Sequence, residues 1–416
     1  MIPKKQQKLE SPLAQFEQIL RRASEKKASD IHLKAGLPPI VRVMGNLYYL
    51  SSEAGDVFPR LTHSDLAQFS FQLMNERYRA RYENGEEIDL AYEILGVGRF
   101  RINICQQRSF PRFVCRLIPE HIKNFAELGL PAVVENLAQA GRGLVLVTGA
   151  TGTGKSTTLA AMIDHIARNT SSHIVTLEDP IEYSFKDRKS IITQREIGID
   201  SRSFSQALKY ALRQDPDVIL VGEMRDEETI RLALSAAETG HLVLSTLHTH
   251  DTVETVNRVL GSISSSYQEQ IRIQLASVLV GVISQRLVLK ADGSGRIPAV
   301  EVLVTNQRVK DMILDPKRTA DLPKAIRESS YLGMQTFDDH LMQLCKTGVI
   351  TKEEALKNCT NIQDFQLKFK GVEAGITVDN DGKELLSQKD RIKAALESEK
   401  KPPPIIELDI QTHKKS

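Results

Sequence analysis

The sequence has 416 residues, of which 41% are apolar and 26% charged, and its formal net charge is only +2. This length predicts two domains and a tail, and the near balance of charge gives no support for a nucleic-acid partner.

No apolar run approaches the roughly 20 residues of a membrane-spanning helix, and the start is polar, so we expect a cytoplasmic protein without a signal peptide. The four cysteines form no C-x-x-C pair, which indicates neither a zinc site nor a disulfide framework.

The N-terminal part of the chain shows a helical pattern followed by strand patterns. Apolar residues between Leu13 and Leu20 fall at helical spacing. Gly45-Asn46 separates two apolar segments and suits a hairpin turn. The predicted strands are 28–33, 41–44, 47–50, 99–105 and 112–118. Residues 1–125 are therefore predicted to form a small antiparallel α+β domain.

Residues 126–370 follow a different pattern, in which solid apolar runs alternate with helical segments. The runs are 144–147, 174–177, 218–221 and 242–244. This alternation predicts an α/β domain whose parallel sheet is covered on both faces, with its core between about 140 and 290. Helices are expected to dominate from 269 to about 359. Residues 371–416 are charged and contain three consecutive prolines, which is typical of a flexible tail.

A phosphate-binding loop is predicted between the first apolar run and the next helix. The run 144–147 leads into G-A-T-G-T-G-K-S, and a helix-compatible segment follows. In such a loop, backbone N–H groups and the helix N-terminus hold phosphate oxygens, the lysine contacts the β- and γ-phosphates, and the serine holds Mg²⁺. The predicted nucleotide-binding residues are Gly149, Ala150, Thr151, Gly152, Thr153, Gly154, Lys155, Ser156 and Thr157.

Two acidic clusters follow apolar strands, where phosphoryl transfer needs carboxylates. D-V-I-L-V-G-E places Glu223 at the carboxyl end of a buried strand, as the second Walker motif requires. T-L-E-D-P-I-E places Glu178 and Glu182 behind another strand. Glu223 is a candidate metal ligand together with Ser156, and the alternative for either cluster is a charged surface.

Histidines flank the fourth apolar run. His241 precedes it and His248 follows it, so either is a candidate to contact the γ-phosphate or Glu223. Zinc binding by these two residues and His250 is a weaker alternative, because no cysteine lies nearby and the two ends of a strand are far apart. His250 is interpreted as an ordinary surface residue.

With these motifs in order, the chain resembles the type II and type IV secretion ATPases over roughly residues 13–370. The resemblance implies an N-terminal PAS-like domain joined to a RecA-like ATPase domain, assembly as a hexameric ring, and Mg²⁺-dependent ATP hydrolysis. It also implies that Glu182 is similar to the catalytic base, Glu223 to the metal-linked carboxylate, and His241 and His248 to the histidine pair.

Within that superfamily, A-S-D-I-H-L near the start and G-M-Q-T-F-D near residue 333 resemble the pilus-retraction branch, PilT and PilU. Assembly ATPases carry an additional N-terminal domain and often a four-cysteine zinc element, and only about 28 residues precede A-S-D-I-H-L here. The resemblance implies retraction of type IV pili, a position at the cytoplasmic side of the inner-membrane pilus base, and a platform protein there as partner.

Three arginines of the N-terminal domain are candidates for contacting the phosphates. Arg99, Arg101 and Arg116 lie on the predicted strands near the point where a ring neighbour's nucleotide lies in this family. An arginine supplied from a neighbouring subunit stabilises charge on the transferring phosphoryl group. The alternative for each is a solvent-facing residue.

One segment departs from the family pattern. Residues 306–318 read N-Q-R-V-K-D-M-I-L-D-P-K-R where retraction enzymes often have A-I-R-x-L-I-R-E-G. Asp315-Pro316 should end any helix there, because the residue before proline is pushed out of the α region. This difference predicts a competent ATPase that resembles the accessory PilU-like enzymes at least as much as PilT and that needs a second retraction ATPase for full force. Sequence drift in a loop is the alternative. Three further functions are alternatives to pilus retraction for the whole protein. They are a pilus-assembly or secretion ATPase, a nucleic-acid motor and a non-catalytic nucleotide-binding regulator.

Overall fold

The computed structural model describes residues 11–43, 45–51, 55–118, 121–373, 377–378 and 384–385. Its N-terminal part is a six-stranded antiparallel sheet in the order β3-β2-β1-β6-β5-β4, which shares one hydrophobic core with three helices. The elements are α1 (Pro12–Glu25), β1 (Asp30–Leu33), β2 (Ile40–Val43), β3 (Asn46–Tyr49), α2 (His63–Leu73), α3 (Glu76–Glu83), β4 (Ile88–Ile94), β5 (Gly98–Gln107) and β6 (Phe110–Leu117). The predicted antiparallel α+β arrangement is confirmed.

Strand β5 shows why this sheet presents arginines on one face. Phe100, Ile102 and Ile104 are fully buried in the core, and side chains on a strand alternate between its two faces. Arg99 and Arg101 therefore lie on the opposite face. Arg101 pairs in register with Arg116 of the neighbouring strand β6, so both of these arginines lie at one place on the sheet.

The predicted hairpin is present, but its turn differs by one residue. Val43 pairs directly with Asn46, so Asn46 is the first residue of β3 and not part of the turn. Gly45 has a φ of 85°, a left-handed conformation that glycine adopts without a steric penalty. The glycine therefore lies one position later in the turn than the sequence pattern suggests.

The second part of the chain is a seven-stranded sheet in the order β13-β12-β7-β11-β10-β8-β9. All neighbouring strands are parallel except β13, which runs antiparallel to β12. Its strands are β7 (Gly143–Thr148), β8 (His173–Glu178), β9 (Ile191–Glu196), β10 (Val218–Val221), β11 (Leu242–Leu247), β12 (Leu279–Leu289) and β13 (Arg296–Val304). The first helices are α4 (Phe125–Leu128), α5 (Val133–Ala138), α6 (Lys155–Asn169), α7 (Phe204–Ala211), α8 (Glu227–Glu238), α9 (Thr252–Gly261) and α10 (Gln268–Val278).

Helices cover both faces of this sheet, as predicted. Leu144 and Leu146 of β7 pack into one core with residues of α7 to α10, whereas Val145 and Val147 pack into a second core with residues of α5 and α6. Since alternate residues of a strand point to opposite faces, a strand buried on both sides must be apolar at every position. All six residues of β7 are buried.

The prediction that helices dominate after residue 269 is wrong for part of the segment. β12 and β13 form a long antiparallel hairpin, and the sheet extends to Val304 instead of ending near 290. The apolar stretch from Leu279 to Ile283 fits a buried helix or a buried strand equally well by periodicity. Its β-branched valines and the Gly293–Gly295 turn are the features that favour the hairpin.

The remaining helices follow the hairpin. They are α11 (Gln307–Leu314), α12 (Leu322–Glu328), α13 (Phe337–Lys346), α14 (Lys352–Asn358) and α15 (Ile362–Glu373), with two short 3-10 turns at Thr319–Asp321 and Ser330–Leu332. α11 ends at Leu314, and Asp315 is extended, so the predicted helix end before Pro316 is confirmed.

The outer edge of β13 is covered by residues from this helical region. His340 of α13 is buried, and its Nδ1 accepts a hydrogen bond from the backbone N–H of Val300 at 3.0 Å. Gln335 exchanges backbone hydrogen bonds with Val302 at 2.9 and 3.2 Å, and its side chain donates to the Val300 carbonyl oxygen. Burial lowers the pKa of His340 to about 4.

The chain beyond Glu373 is described only at two short paired strands, β14 (Thr377–Val378) and β15 (Glu384–Leu385). The rest of the predicted flexible tail, 371–416, lies outside the described residues, and the domain limits 1–125 and 126–370 stay predictions. Within the described ranges, no helix is both long and apolar enough to cross a membrane.

Candidate active site

The predicted phosphate loop lies between a buried strand and a helix, as its sequence requires. β7 ends at Thr148 and α6 begins at Lys155. Gly149 has a φ of 144°, and a Cβ atom there would lie 2.6 Å from the carbonyl oxygen of Gln285. Only glycine fits this position, because β12 passes directly behind the loop. The hydroxyl of Thr153 donates to the Ala150 carbonyl oxygen at 2.8 Å and closes the loop.

Lys155 is held inside this loop. Its side chain is 8% exposed, and Nζ donates to the carbonyl oxygens of Gly149 at 2.8 Å and Ala150 at 3.1 Å. Burial lowers the pKa of Lys155, while the nearby carboxylates of Glu223 and Glu182 act in the opposite direction. The loop therefore holds a buried ammonium group where a phosphate-binding loop requires one.

The carboxyl ends of the parallel strands meet at a cleft of about 510 Å³ in front of the loop. Most of the residues singled out in the sequence line this cleft. They are Arg101, Arg116, Thr151, Gly152, Gly154, Lys155, Ser156, Glu178, Glu182, Glu223 and His248. Since the carboxyl ends of parallel strands share one sheet edge, the motifs between Gly149 and His248 converge although about 100 residues separate the first from the last.

Glu223 lies directly after β10 and has two basic partners. Its Oε1 is 3.2 Å from Nε2 of His248, and its Oε2 is 2.7 Å from Nη2 of Arg225. Burial opposes ionisation of Glu223, but the hydrogen bonds and charges of Arg225 and His248 outweigh it, so its pKa is lowered. Glu223 is therefore a carboxylate at neutral pH, and His248 reaches it as the sequence predicted.

The two carboxylates of the acidic cluster have different surroundings. Glu178 accepts hydrogen bonds from Thr176 Oγ1 at 2.7 Å and Gln194 Nε2 at 3.1 Å, and burial raises its pKa. It also lies 3.4 Å from the backbone N–H of Glu182, which it helps to position. The Glu182 side chain is 44% exposed and faces the cleft. Glu182 is thus the carboxylate with room for a water molecule.

The arginines of the N-terminal sheet divide into two groups. Arg101 Nη1 lies 3.7 Å from Glu182 Oε1, and Arg116 Nε lies 2.9 Å from Asp30 Oδ1 at the cleft wall. Both line the cleft of their own chain. Arg99 does not, because its Nη2 donates to Glu196 Oε2 at 2.9 Å. Arg99 therefore does not face the cleft of its own chain, and its contact with a ring neighbour's nucleotide stays a prediction.

His241 also lies away from the cleft. It precedes β11, at the opposite end of the strand from His248, and its Nδ1 is 2.9 Å from the Ala236 carbonyl oxygen. Its assignment to this site within one chain is therefore wrong. His250 is exposed, in agreement with the surface interpretation. Among the described residues, no group of three or more His, Cys, Asp or Glu side chains is arranged to hold a metal ion.

Sequence reasoning missed two side chains of the cleft. Arg225 follows Glu223 by two residues and pairs with it. The hydroxyl of Tyr183 lies 2.8 Å from Thr157 Oγ1 and joins the acidic loop to α6. Both residues directly follow a motif, but neither an arginine nor a tyrosine at such a position carries a signal without the fold.

A second cleft, of about 520 Å³, lies on the other side of the phosphate loop. Thr153, Gly154 and Thr157 line it on one side, and Ile297 with Leu287 of the β12–β13 hairpin on the other. Because both clefts share Gly154, a ligand with phosphates at the loop has room beyond them for a larger group. This second cleft was not predicted.

The loop after His248 is anchored from behind by a buried carboxyl group. Glu301 of β13 is 6% exposed, and its Oε1 accepts hydrogen bonds from the backbone N–H and the hydroxyl of Thr252 at 2.9 and 2.7 Å. Burial raises the pKa of Glu301 despite these bonds. Thr252 is the first residue of α9, so Glu301 fixes where that helix begins.

The fold and the cleft together define a P-loop nucleoside-triphosphatase site on a RecA-like sheet. The family model for type II/IV secretion system proteins matches residues 5–330. The PilT protein of Pseudomonas aeruginosa, described as a type IV pilus retraction ATPase, is 41% identical over 348 residues, which cover 84% of this chain and 99% of that protein. The chain therefore belongs to the type II/IV secretion ATPase family, in its PilT branch.

Further relatives agree with this assignment. PilU of Pseudomonas aeruginosa, described as a type IV pilus ATPase, is 38% identical over 356 residues and covers 86% of this chain and 91% of that protein. A crystal structure of the pilus retraction motor PilT with bound ADP has a TM-score of 0.75 and 45% identity, over 83% of this chain and 97% of the other. The crystal structure of the ATPase DotB of Legionella pneumophila has a TM-score of 0.73 and 28% identity, over 89% of this chain and 98% of the DotB chain.

Proposed function

We propose that this chain is an ATP-hydrolysing motor that powers retraction of type IV pili. The observation that carries the proposal is the single cleft in which the phosphate loop meets Glu182, Glu223 and Arg101. The ADP bound by a solved relative and the retraction activity named for PilT support it. Pilin disassembly is the mechanical output.

Each cleft residue has a role that its surroundings favour. The loop amides, the N-terminus of α6 and Lys155 bind the phosphates. Glu182, exposed to the cleft, orients and deprotonates the attacking water, whereas Glu178 positions the loop that carries it. Arg101 and Arg116 stabilise the charge of the transferring phosphoryl group from within the same chain. The nucleoside occupies the second cleft beyond Gly154.

The oxygen donors of the site fit Mg²⁺. The Ser156 hydroxyl and the ionised Glu223 carboxylate line the same cleft, and Mg²⁺ prefers one or two such oxygens together with phosphate oxygens. These two residues would hold the ion, which neutralises phosphate charge during the reaction.

The working form is a homohexameric ring on the cytoplasmic side of the inner membrane. There it acts on the platform protein at the pilus base. The ring, its location and the platform partner are what the resemblance implies for the family, and we extend them to this chain. Nucleic acid is not among the proposed partners.

The activity is tested with the purified full-length chain and ATP. Magnesium-dependent phosphate release is expected from the wild type and not after chelation of the metal. A clean deletion strain should keep surface pili but lose twitching motility. Loss of all surface pili would instead identify a pilus-assembly ATPase, and unchanged motility would contradict both.

A second candidate, an accessory PilU-like ATPase, is favoured by the segment 306–318. α11 ends at Leu314, so the segment does not form one uninterrupted helix. All the cleft residues proposed for hydrolysis are present, whereas the segment 306–318 differs from the family pattern. ATP hydrolysis can therefore be intact in this protein while its mechanical output is weakened. Expression as the sole retraction ATPase of a strain decides between the candidates. Full twitching motility would exclude dependence on a second retraction ATPase. ATP hydrolysis in vitro without motility in the strain would support that dependence.

A further inference from the structure

Two contacts outside the cleft join the N-terminal part of the chain, one from strand β5 and one from helix α3, to the end of β9. Arg99 Nη2 donates to Glu196 Oε2 at 2.9 Å, and Arg77 Nη1 donates to the Gly198 carbonyl oxygen at 2.8 Å. The side chain of Glu196 is 3% exposed and that of Arg99 is 22% exposed. Because a buried charge without a partner is costly, this ion pair stabilises the arrangement in which β5 lies against the end of β9.

The same carboxylate also holds the acidic loop. Oε2 of Glu196 lies 3.3 Å from the backbone N–H of Ile181. Ile181 directly precedes Glu182, the proposed catalytic base. A single oxygen atom of Glu196 therefore contacts both the N-terminal sheet and the loop that carries the base.

On the other side of the pair, Arg99 shares its strand with a cleft arginine. Arg99 and Arg101 are two residues apart on β5 and so lie on the same face. Arg99 contacts Glu196 while Arg101 faces Glu182, so two parallel contacts run between β5 and the acidic segment. A shift of β5 that breaks the first contact also moves the arginine of the second.

We infer that Glu196, acting through Arg99, is a positioning residue that sets β5 against the acidic loop, so that Arg101 and Glu182 face the same nucleotide. This inference rests on the proposed ATPase function. Glu196 itself contacts no nucleotide in this arrangement. A displacement of β5 from the end of β9 would break the buried pair and also move Arg101 relative to Glu182.

A double-mutant cycle on the full-length protein tests this coupling. Arg99→Gln and Glu196→Gln should each lower kcat for ATP by about tenfold or more, as expected when positioning contacts are lost. The double variant should be no slower than the slower single variant, because residues that act through one contact are not additive. Glu86→Gln, which breaks an exposed ion pair with Arg81 within the N-terminal domain, is the matched control and should keep wild-type turnover.

A fluorescence reporter separates positioning from general destabilisation. The chain contains no tryptophan, so Tyr78→Trp introduces a unique signal. Tyr78 is 6% exposed and directly follows Arg77 on α3, whose guanidinium donates to the carbonyl oxygen of Gly198, two residues after Glu196. Adding Glu196→Gln to this reporter should shift the emission to longer wavelength, and adding Glu86→Gln should not.

Three outcomes overturn the inference: single variants with wild-type kcat, additive losses in the double variant, or an unchanged emission maximum. If a glutamine variant does not fold, Arg99→Lys and Glu196→Asp replace it in the cycle. These variants keep the charges but change the length of the contact, so each should still lower kcat relative to the wild type, and wild-type kcat in both would overturn the inference. A wild-type protein without ATPase activity contradicts the proposed function instead, so the two failures are distinguishable.

Discussion

Nε2 of His248 lies 3.2 Å from Oε1 of Glu223, so the histidine that follows β11 touches the carboxylate that follows β10. The two strands are parallel neighbours in the sheet. A movement of the Glu223 side chain when nucleotide binds or leaves would therefore displace His248. His248 in turn would move the loop that leads to α9. This contact connects the hydrolytic site to the helical side of the domain.

Replacing Glu223 by glutamine should leave ATP binding and stop turnover. The amide keeps the shape of the side chain but removes the negative charge that Arg225 and His248 stabilise. We expect the rate of hydrolysis to fall by about 10²- to 10³-fold, as for loss of one strong electrostatic group at a reacting phosphate. Binding of a fluorescent ATP analogue and phosphate release measure the two properties. Loss of nucleotide binding would show that the carboxylate is misassigned.

Lys155→Ala should abolish ATP turnover and keep the fold. The variant loses the buried ammonium group and its hydrogen bonds to the carbonyl oxygens of Gly149 and Ala150, while the core residues of α6 are unchanged. Phosphate-clamping groups contribute several kcal/mol to the transition state, so residual turnover should be less than about one tenth. Lys209→Ala, which removes an exposed lysine paired with Glu228, is the control. Circular dichroism should be the same for both variants and the wild type.

Mixed assemblies test whether Arg101 acts within its own chain. The sequence predicted a role in a neighbour's site, but the structure places Arg101 beside Glu182 of the same chain. Arg101→Ala and Lys155→Ala should each be inactive, and mixing the two proteins should not restore turnover, since every subunit then lacks one part of its own site. Partial recovery of phosphate release on mixing would show that the arginine is supplied by the neighbour.

The stability of the domain should depend on pH through Glu301. A carboxyl group whose pKa is raised by folding stabilises the fold below its ordinary pKa, and this contribution is lost as the pH rises through the raised value. Glu301→Gln stays neutral and still accepts hydrogen bonds from Thr252. The melting temperature of this variant relative to that of the wild type should therefore rise as the pH increases above the ordinary pKa of a glutamate side chain, about 4.3. Glu353→Gln, at an exposed position of α14, should show no such trend.

Much of the site was predictable because its motifs are local. The strand before Gly149, the loop itself and the helix after it lie in one continuous segment, and the carboxylates at 182 and 223 follow apolar strands. Parallel strands bring their carboxyl ends together, so local patterns were enough to place most of the cleft. The seven-stranded sheet was predictable for the same reason in β7, β8, β10 and β11.

The rest depended on contacts between distant segments. Arg99 and Glu196 are 97 residues apart, and nothing in either neighbourhood distinguishes Arg99 from Arg101. β9 is only partly buried and lacks a solid apolar run, so it carries little signal. His241 and His248 belong to one motif, but they lie at opposite ends of β11. Predicting that only His248 faces the cleft requires knowing which end of β11 lies at the cleft.

The hydrogen bonds on the outer edge of β13 have a consequence for how copies of the chain can meet. An open strand edge is a template for pairing with another chain and for aggregation. At Val300 and Val302 the edge is already satisfied by His340 and Gln335, and the low pKa of His340 keeps its ring a neutral acceptor throughout the physiological pH range. A second copy of the chain therefore cannot extend the sheet by pairing with β13 at Val300 and Val302.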